Sequence, residues 1–133
     1  MAFVPDASVA AAWLLPDEEA ELAERALDCL ANEEAKVPVL FWDELRNLLL
    51  AAERRGRIGA HHADASLARL RRLPIRCPGD ADDHLIMALA RAHGLSAYDA
   101  GYLALAIREG CALASLDRRL IAAAAAQGVP PLG

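Results

Sequence analysis

The sequence predicts an α/β fold built on a central, mainly parallel sheet of four or five strands. Three observations predict it. Short apolar runs alternate with longer stretches of helical periodicity from end to end, the pattern of strands joined by right-handed crossovers. Glycines at positions 56, 94 and 110 fall where those helical stretches should stop, as expected of helix C-termini. Hydrophobic residues make up 56% of the chain but aromatics only 5%. That surplus is mostly alanine, which suits helices packed closely against a sheet.

The elements follow in order. Phe3-Val4-Pro5 reads as the first strand and Ser8 to Leu15 as a short helix. Pro16 suits the first position of a second helix, with Asp17, Glu18 and Glu19 in its favourable first turn. Leu22, Ala26, Leu27 and Leu30 mark one face of that helix. Val37-Pro38-Val39 is a second strand, whose proline argues for an edge or a strand end. A helix from about Phe41 to Arg55 presents Leu45, Leu48, Leu49 and Ala52 inward and stops near Gly56. Another runs from about Ala60 to Arg72 and is ended by Pro74. Ile75-Arg76-Cys77 is a third strand. Helices then span about Asp80 to Ala92, closing at Gly94, and Ala97 to Arg108, closing at Gly110. Ala112 to Ser115 forms a fourth strand, Asp117 to Gln127 a last helix, and Val129 starts a final short strand. No linker, low-complexity tract or repeat divides the chain, so residues 1–133 are expected to form one domain.

Four acids, Asp6, Glu44, Asp99 and Asp117, interrupt stretches that otherwise read as buried. Asp6 and Asp117 directly follow strands, and parallel sheets bind ligands beyond the carboxyl ends of their strands. Glu44 and Asp99 sit near the starts of their helices, on the faces of Leu45 and Leu48 and of Leu103 and Ala106. All four can therefore converge at one sheet edge. Each also has an ordinary alternative. Asp6 and Asp117 can cap helices, Ser96 and Asp99 have the spacing of a capping box without its preferred Glu, and Glu44 can simply occupy a first turn. Those alternatives do not explain why the acids share one edge. Two like charges ~4 Å apart repel by ~4 kcal/mol at an effective dielectric of about 20, so such a cluster calls for a cation. A set of hard oxygen donors without Cys or His selects Mg²⁺ or Mn²⁺ over zinc. Such ions polarise a phosphoryl oxygen and lower the pKa of bound water, which is the chemistry of phosphodiester hydrolysis.

The remaining composition constrains the reading. Charged residues stand at 25%, which excludes a disordered chain. The net charge of -5 is not that of a typical nucleic-acid binder, yet two divalent ions would nearly cancel it. Lys36 is the sole lysine, and arginines bunch at 54, 55 and 57, at 69, 71 and 72, and at 118 and 119. Arginine forks match phosphate geometry, although solvated helix faces account for any single cluster. Cys29, Cys77 and Cys111 show neither metal-ligand nor disulfide spacing and read as small buried hydrophobes in a reducing compartment. No signal sequence or transmembrane run is evident, so a cytoplasmic protein without membrane association is expected. Asp80, Asp82 and Asp83 suit the dipole of the helix they open. His61 and His62 read as surface residues, and Trp13, Trp42, Tyr98 and Tyr102 as packing or interface residues, with base stacking as the alternative.

Four segments, residues 4–9, 41–47, 95–106 and 113–120, resemble the four signatures of PIN domains, in particular VapC-type toxin ribonucleases. The third segment, LSAYDAGYLALA, is the most specific, and the likeness runs nearly end to end. The resemblance implies a three-layer α/β/α sandwich and a Mg²⁺- or Mn²⁺-dependent endoribonuclease. Asp6, Glu44, Asp99 and Asp117 match the family's acidic quartet, and Ser115 matches a position usually held by threonine, whose hydroxyl supports the site. Ser8 and Asn47 match positions that are often polar. The resemblance further implies an RNA substrate, a homodimer and a cognate antitoxin. Two other acid-bearing α/β classes fit poorly: a receiver domain needs a lysine late in the chain, and a haloacid-dehalogenase-like phosphatase needs a second acid where Ser8 stands. The rival to the nuclease is a non-catalytic binding module on the PIN scaffold.

Overall fold

The computed structural model describes residues 1–18 and 20–132. Its elements are β1 (Ala2–Pro5), α1 (Ala7–Leu14), α2 (Glu21–Cys29), β2 (Glu34–Lys36), α3 (Phe41–Arg54), α4 (Ala60–Leu70), β3 (Ile75–Arg76), α5 (Asp83–His93), α6 (Ala97–Glu109), β4 (Ala112–Ala114) and α7 (Arg118–Ala126). The strands form one four-stranded sheet in the order β3-β2-β1-β4, and every pairing is parallel. The chain builds outward from β1 to β2 and β3, then returns to place β4 on the other side of β1. The order therefore reverses between β1 and β4, where such sheets open a crevice.

Strand side chains alternate between the two faces. Phe3 and Ala114 pack with Ala35 against Val9, Ala23, Ala26 and Leu30. Val4 and Leu113 belong to a larger cluster with Phe41, Leu45, Leu103 and Leu120. Helices thus cover both faces, giving the three-layer α/β/α fold. Phe3 and Val4 are both fully buried, as the central strand of such a sandwich requires. Gly94 and Gly110 end α5 and α6 at φ 63° and 64°, the left-handed conformation that glycine adopts without Cβ strain.

Several expected boundaries move, each for a physical reason. The second strand is Glu34–Lys36 rather than 37–39. Its charged flanks are tolerated because Glu34 pairs with Arg76 and Lys36 with Glu109. Val37 still donates to Arg76 O at 2.9 Å, but Pro38 has no N–H to continue the ladder. The second helix begins at Glu21, not at Pro16. Asp17 and Glu18 instead reach Arg57, which joins this turn to the segment after α3. The fifth helix begins three residues late, because Asp80 accepts from Val39 N at 2.9 Å and Asp82 caps the helix through Leu85 N. The final strand reduces to an isolated bridge between Leu113 and Pro131, since Pro130 and Pro131 cannot donate. Leu27 and Leu48, expected inward, are exposed. So is Cys77. His62 is half-buried, and its Nε2 donates to Leu14 O at 2.8 Å. No described helix is long and apolar enough to cross a membrane.

Candidate active site

Asp6 stands where β1 ends and α1 begins. It is the N-cap of α1, and its carboxylate is 4% exposed. Oδ1 accepts from Ser8 Oγ at 2.6 Å and from Val9 N at 3.2 Å. Oδ2 accepts from Ser115 Oγ at 2.5 Å. Both serines also reach the loop after β4: Ser8 Oγ accepts from Leu116 N and Ser115 Oγ from Asp117 N, each at 3.0 Å. The end of β1 is thereby tied to the neighbouring strand's exit, and Asp6 is fixed from both sides.

Asp117 caps α7, accepting from Arg119 N at 2.9 Å and Leu120 N at 3.2 Å. Glu44 lies in the first turn of α3 and Asp99 in the first turn of α6. Ser96 caps α6 by accepting from Asp99 N at 3.1 Å, one half of a capping box. Glu44 Oε1 accepts from the buried Tyr102 hydroxyl at 2.7 Å. The four acids line one open cleft of about 740 Å³, together with Ser8, Asn47 and Tyr102. Glu18, Leu48 and Leu116 also face it.

Burial and mutual repulsion dominate the electrostatics. Burial raises the Asp6 carboxyl above its ordinary range, against the hydrogen bonds from Ser115, Ser8 and Val9. Burial also raises Glu44, helped by the charges of Asp99 and Asp6 and opposed by Tyr102. Asp99 rises through burial first, then through Asp117 and Asp6, with Ser96 opposing. The Tyr102 phenol is pushed far above its normal value by burial and by the Glu44 charge, so it stays a proton donor. A pocket that raises three neighbouring carboxyls is one that a cation would stabilise.

Among the described residues, no three Asp, Glu, His or Cys side chains close into a ready-made metal cage. The donor set nevertheless fits a hydrated hard cation. Mg²⁺ keeps several of its waters and takes only one or two carboxylates, and an open cleft lined by oxygen donors admits both.

Asp6, Glu44, Asp99 and Asp117 are thus brought together, while Ser115 stands behind Asp6 at 2% exposure and outside the cleft lining. Arg118 and Arg119 are exposed beside Asp117 and form no ion pair among the described residues. Tyr98 is exposed, Trp13 donates to Ala23 O, and Trp42 packs edge-on against Phe41 beneath the Arg71 guanidinium. Sequence reasoning missed the contact between Tyr102 and Glu44. The available signal was spacing: Tyr102 lies three residues after Asp99, on the same face of one helix.

A model of the PIN domain family matches residues 3–126. The chain belongs to the PIN-domain family. Ribonuclease VapC3 of Pyrobaculum aerophilum is 36% identical over 124 residues, covering 90% of this chain and 92% of that protein. Ribonuclease VapC9 of Mycobacterium tuberculosis is 39% identical over 118 residues, covering 88% and 87%. These relatives put the chain among the VapC-type members of the PIN family. Solved structures share the fold. PAE2754 from Pyrobaculum aerophilum superposes with a TM-score of 0.69 at 22% identity, over 92% of this chain and 84% of that one. VapBC2 from Rickettsia felis, solved with a promoter DNA fragment, gives 0.67 at 11% identity over 92% of each chain.

Proposed function

We propose that this PIN protein is a divalent-metal-dependent endoribonuclease, the toxin of a toxin–antitoxin pair, with one catalytic domain. The observation that carries the reading is the set of four acids lining one cleft at the sheet's topological switch point. The ribonuclease names of the VapC relatives support it. An intact quartet speaks against a non-catalytic module, which has no use for clustered, mutually repelling carboxylates.

Asp6, Glu44, Asp99 and Asp117 would hold one or two Mg²⁺ or Mn²⁺ ions, directly or through water. Bound there, such an ion polarises a phosphoryl oxygen and lowers the pKa of a bound water. The chain's own residues supply position and charge. Ser8 and Ser115 hold Asp6 rigidly, and Tyr102 holds Glu44. Each acid sits at the cap or in the first turn of its helix, so four positive dipole ends offset part of their repulsion. Arg118 and Arg119 follow Asp117 directly in the chain and are exposed; they would bind phosphates near the scissile bond, giving salt-dependent affinity. The exposed side chains of Leu48 and Leu116 offer an apolar wall to ribose and base faces.

The test is RNA cleavage by the purified protein. Cleavage should require Mg²⁺ or Mn²⁺ and stop with EDTA. Asp6→Asn should lose at least about two orders of magnitude in rate while keeping its circular-dichroism spectrum and cooperative melting. Full activity in a folded Asp6→Asn protein would remove the reading. Within it, the partners are a cognate antitoxin and a second copy of the chain, and the compartment is the cytoplasm. One structural neighbour is a toxin–antitoxin complex from Klebsiella pneumoniae, which supports the first of these partners. Co-purification with the product of an adjacent small gene checks the first partner, and light scattering the second.

A further inference from the structure

We propose that Tyr102 is a positioning residue for this site: its hydroxyl occupies one oxygen of Glu44 and leaves the other free for the divalent ion. The inference rests on the metal-dependent reading above.

Glu44 and Asp6 are held in different ways. Asp6 is gripped by two serine hydroxyls and a backbone amide, so no single contact fixes it. Glu44 is half-buried on a longer side chain. Among the described residues, Tyr102 is the only hydrogen-bond donor to its carboxylate. Without that contact, Glu44 would spread over several rotamers, and ordering it would fall to the ion.

Tyr102 suits the task. It is 1% exposed and among the largest fully buried side chains, so packing fixes its ring. A buried phenol needs a partner, and Glu44 Oε1 lies at 2.7 Å. Tyr102 follows Asp99 by three residues in α6, and Glu44 sits in α3. One hydrogen bond therefore sets the helix that carries Glu44 against the helix that carries Asp99. With Oε1 engaged in a charge-assisted bond, Oε2 is the Glu44 oxygen with no hydrogen-bond partner among the described residues, and it would be the one offered to an ion.

Calorimetric titration with Mn²⁺ of wild type, Tyr102→Phe, Glu44→Gln and Asp6→Asn tests this. Tyr102→Phe keeps the ring and should weaken Mn²⁺ binding by about ten-fold or more, with cleavage recovering as Mn²⁺ is raised. In the Glu44→Gln background the same change should leave Mn²⁺ affinity unaltered, because the group being positioned is gone. A second measurement needs no variant at position 102. The Tyr102 Cζ resonance of the wild type, told apart from that of Tyr98 by a Tyr98→Phe control, should shift with Mg²⁺ at the midpoint of ion binding. Wild-type Mn²⁺ affinity in Tyr102→Phe, or a Tyr102 resonance indifferent to Mg²⁺, would overturn the role of Tyr102 provided that Asp6→Asn has lost Mn²⁺ binding. Equal Mn²⁺ binding by wild type and Asp6→Asn would instead overturn the metal site itself, and this inference with it.

Discussion

Asp6 caps α1 through Val9 N while the same oxygen takes the Ser8 hydroxyl, and Asp117 caps α7 from across the cleft. Capping a helix and lining the shared cleft are therefore compatible roles for one carboxylate. In sequence the two roles look like alternatives, because nothing local shows what the second oxygen meets. The acids themselves were legible, since each breaks an apolar context. Their supports were less so. Ser115 reaches Asp6 across 109 positions and Tyr102 reaches Glu44 across 58, distances that no periodicity reports. Only the family resemblance pointed to Ser115. Its hydroxyl donates to Asp6 and accepts from Asp117 N, so Ser115→Ala strands the buried Asp6 oxygen and frees a part-buried amide. A loss of about 1–3 kcal/mol in denaturant unfolding is expected, with slower cleavage. Ser115→Thr keeps the hydroxyl. The apolar groove beside it, lined by Leu22, Leu113 and Ile121, has room for a methyl group. Threonine should match wild type in activity and equal or exceed it in melting temperature, by at most about 0.8 kcal/mol.

At the scale of elements, helix ends were the most legible features, because their signals are local. Gly94 and Gly110 stop α5 and α6 as the sequence indicated. A Cβ at Gly110 meets nothing within 4 Å, so Gly110→Ala tests the backbone conformation alone. It should cost about 1 kcal/mol and lower the melting temperature by roughly 4 °C; an unchanged melt would contradict the left-handed cap. The register of β2 was hidden for the opposite reason. Glu34 and Lys36 look unlike strand residues until Arg76 and Glu109, far along the chain, are beside them. The hydrogen bond from Lys36, reinforced by Arg108, lowers the Glu109 carboxyl below its ordinary value of 4.5. A lowered carboxyl contributes stability above the unfolded value, and that contribution is lost as pH falls through the depressed one. Glu109→Gln should therefore be slightly less stable than wild type at neutral pH. The two unfolding midpoints should converge as pH falls through the depressed Glu109 value, and a gap that persists in acid would assign the loss to packing instead of charge.

For the whole molecule, the chain order is what makes a site from dispersed acids. β1 and β4 adjoin because the chain reverses direction across the sheet, and each acid-bearing helix begins at that edge. The cost falls on the metal-free protein. Asp6, Glu44 and Asp99 are raised above their ordinary values. A raised carboxyl favours the native state below its unfolded pKa, and that advantage is lost as pH rises through the folded one. At neutral pH each therefore disfavours the folded state where no cation offsets its charge. Asp99→Asn removes one such charge and should raise the melting temperature of the EDTA-treated protein by a few degrees while abolishing cleavage. Mg²⁺ or Mn²⁺ should stabilise wild type by about 2.7 kcal/mol at a hundredfold excess over its dissociation constant, and should stabilise Asp99→Asn much less. Thermal melts of both proteins, with and without ion, decide the matter. If EDTA-treated Asp99→Asn melts below wild type and the ion lifts both equally, the cation binds elsewhere and Asp99 serves the fold, not the reaction.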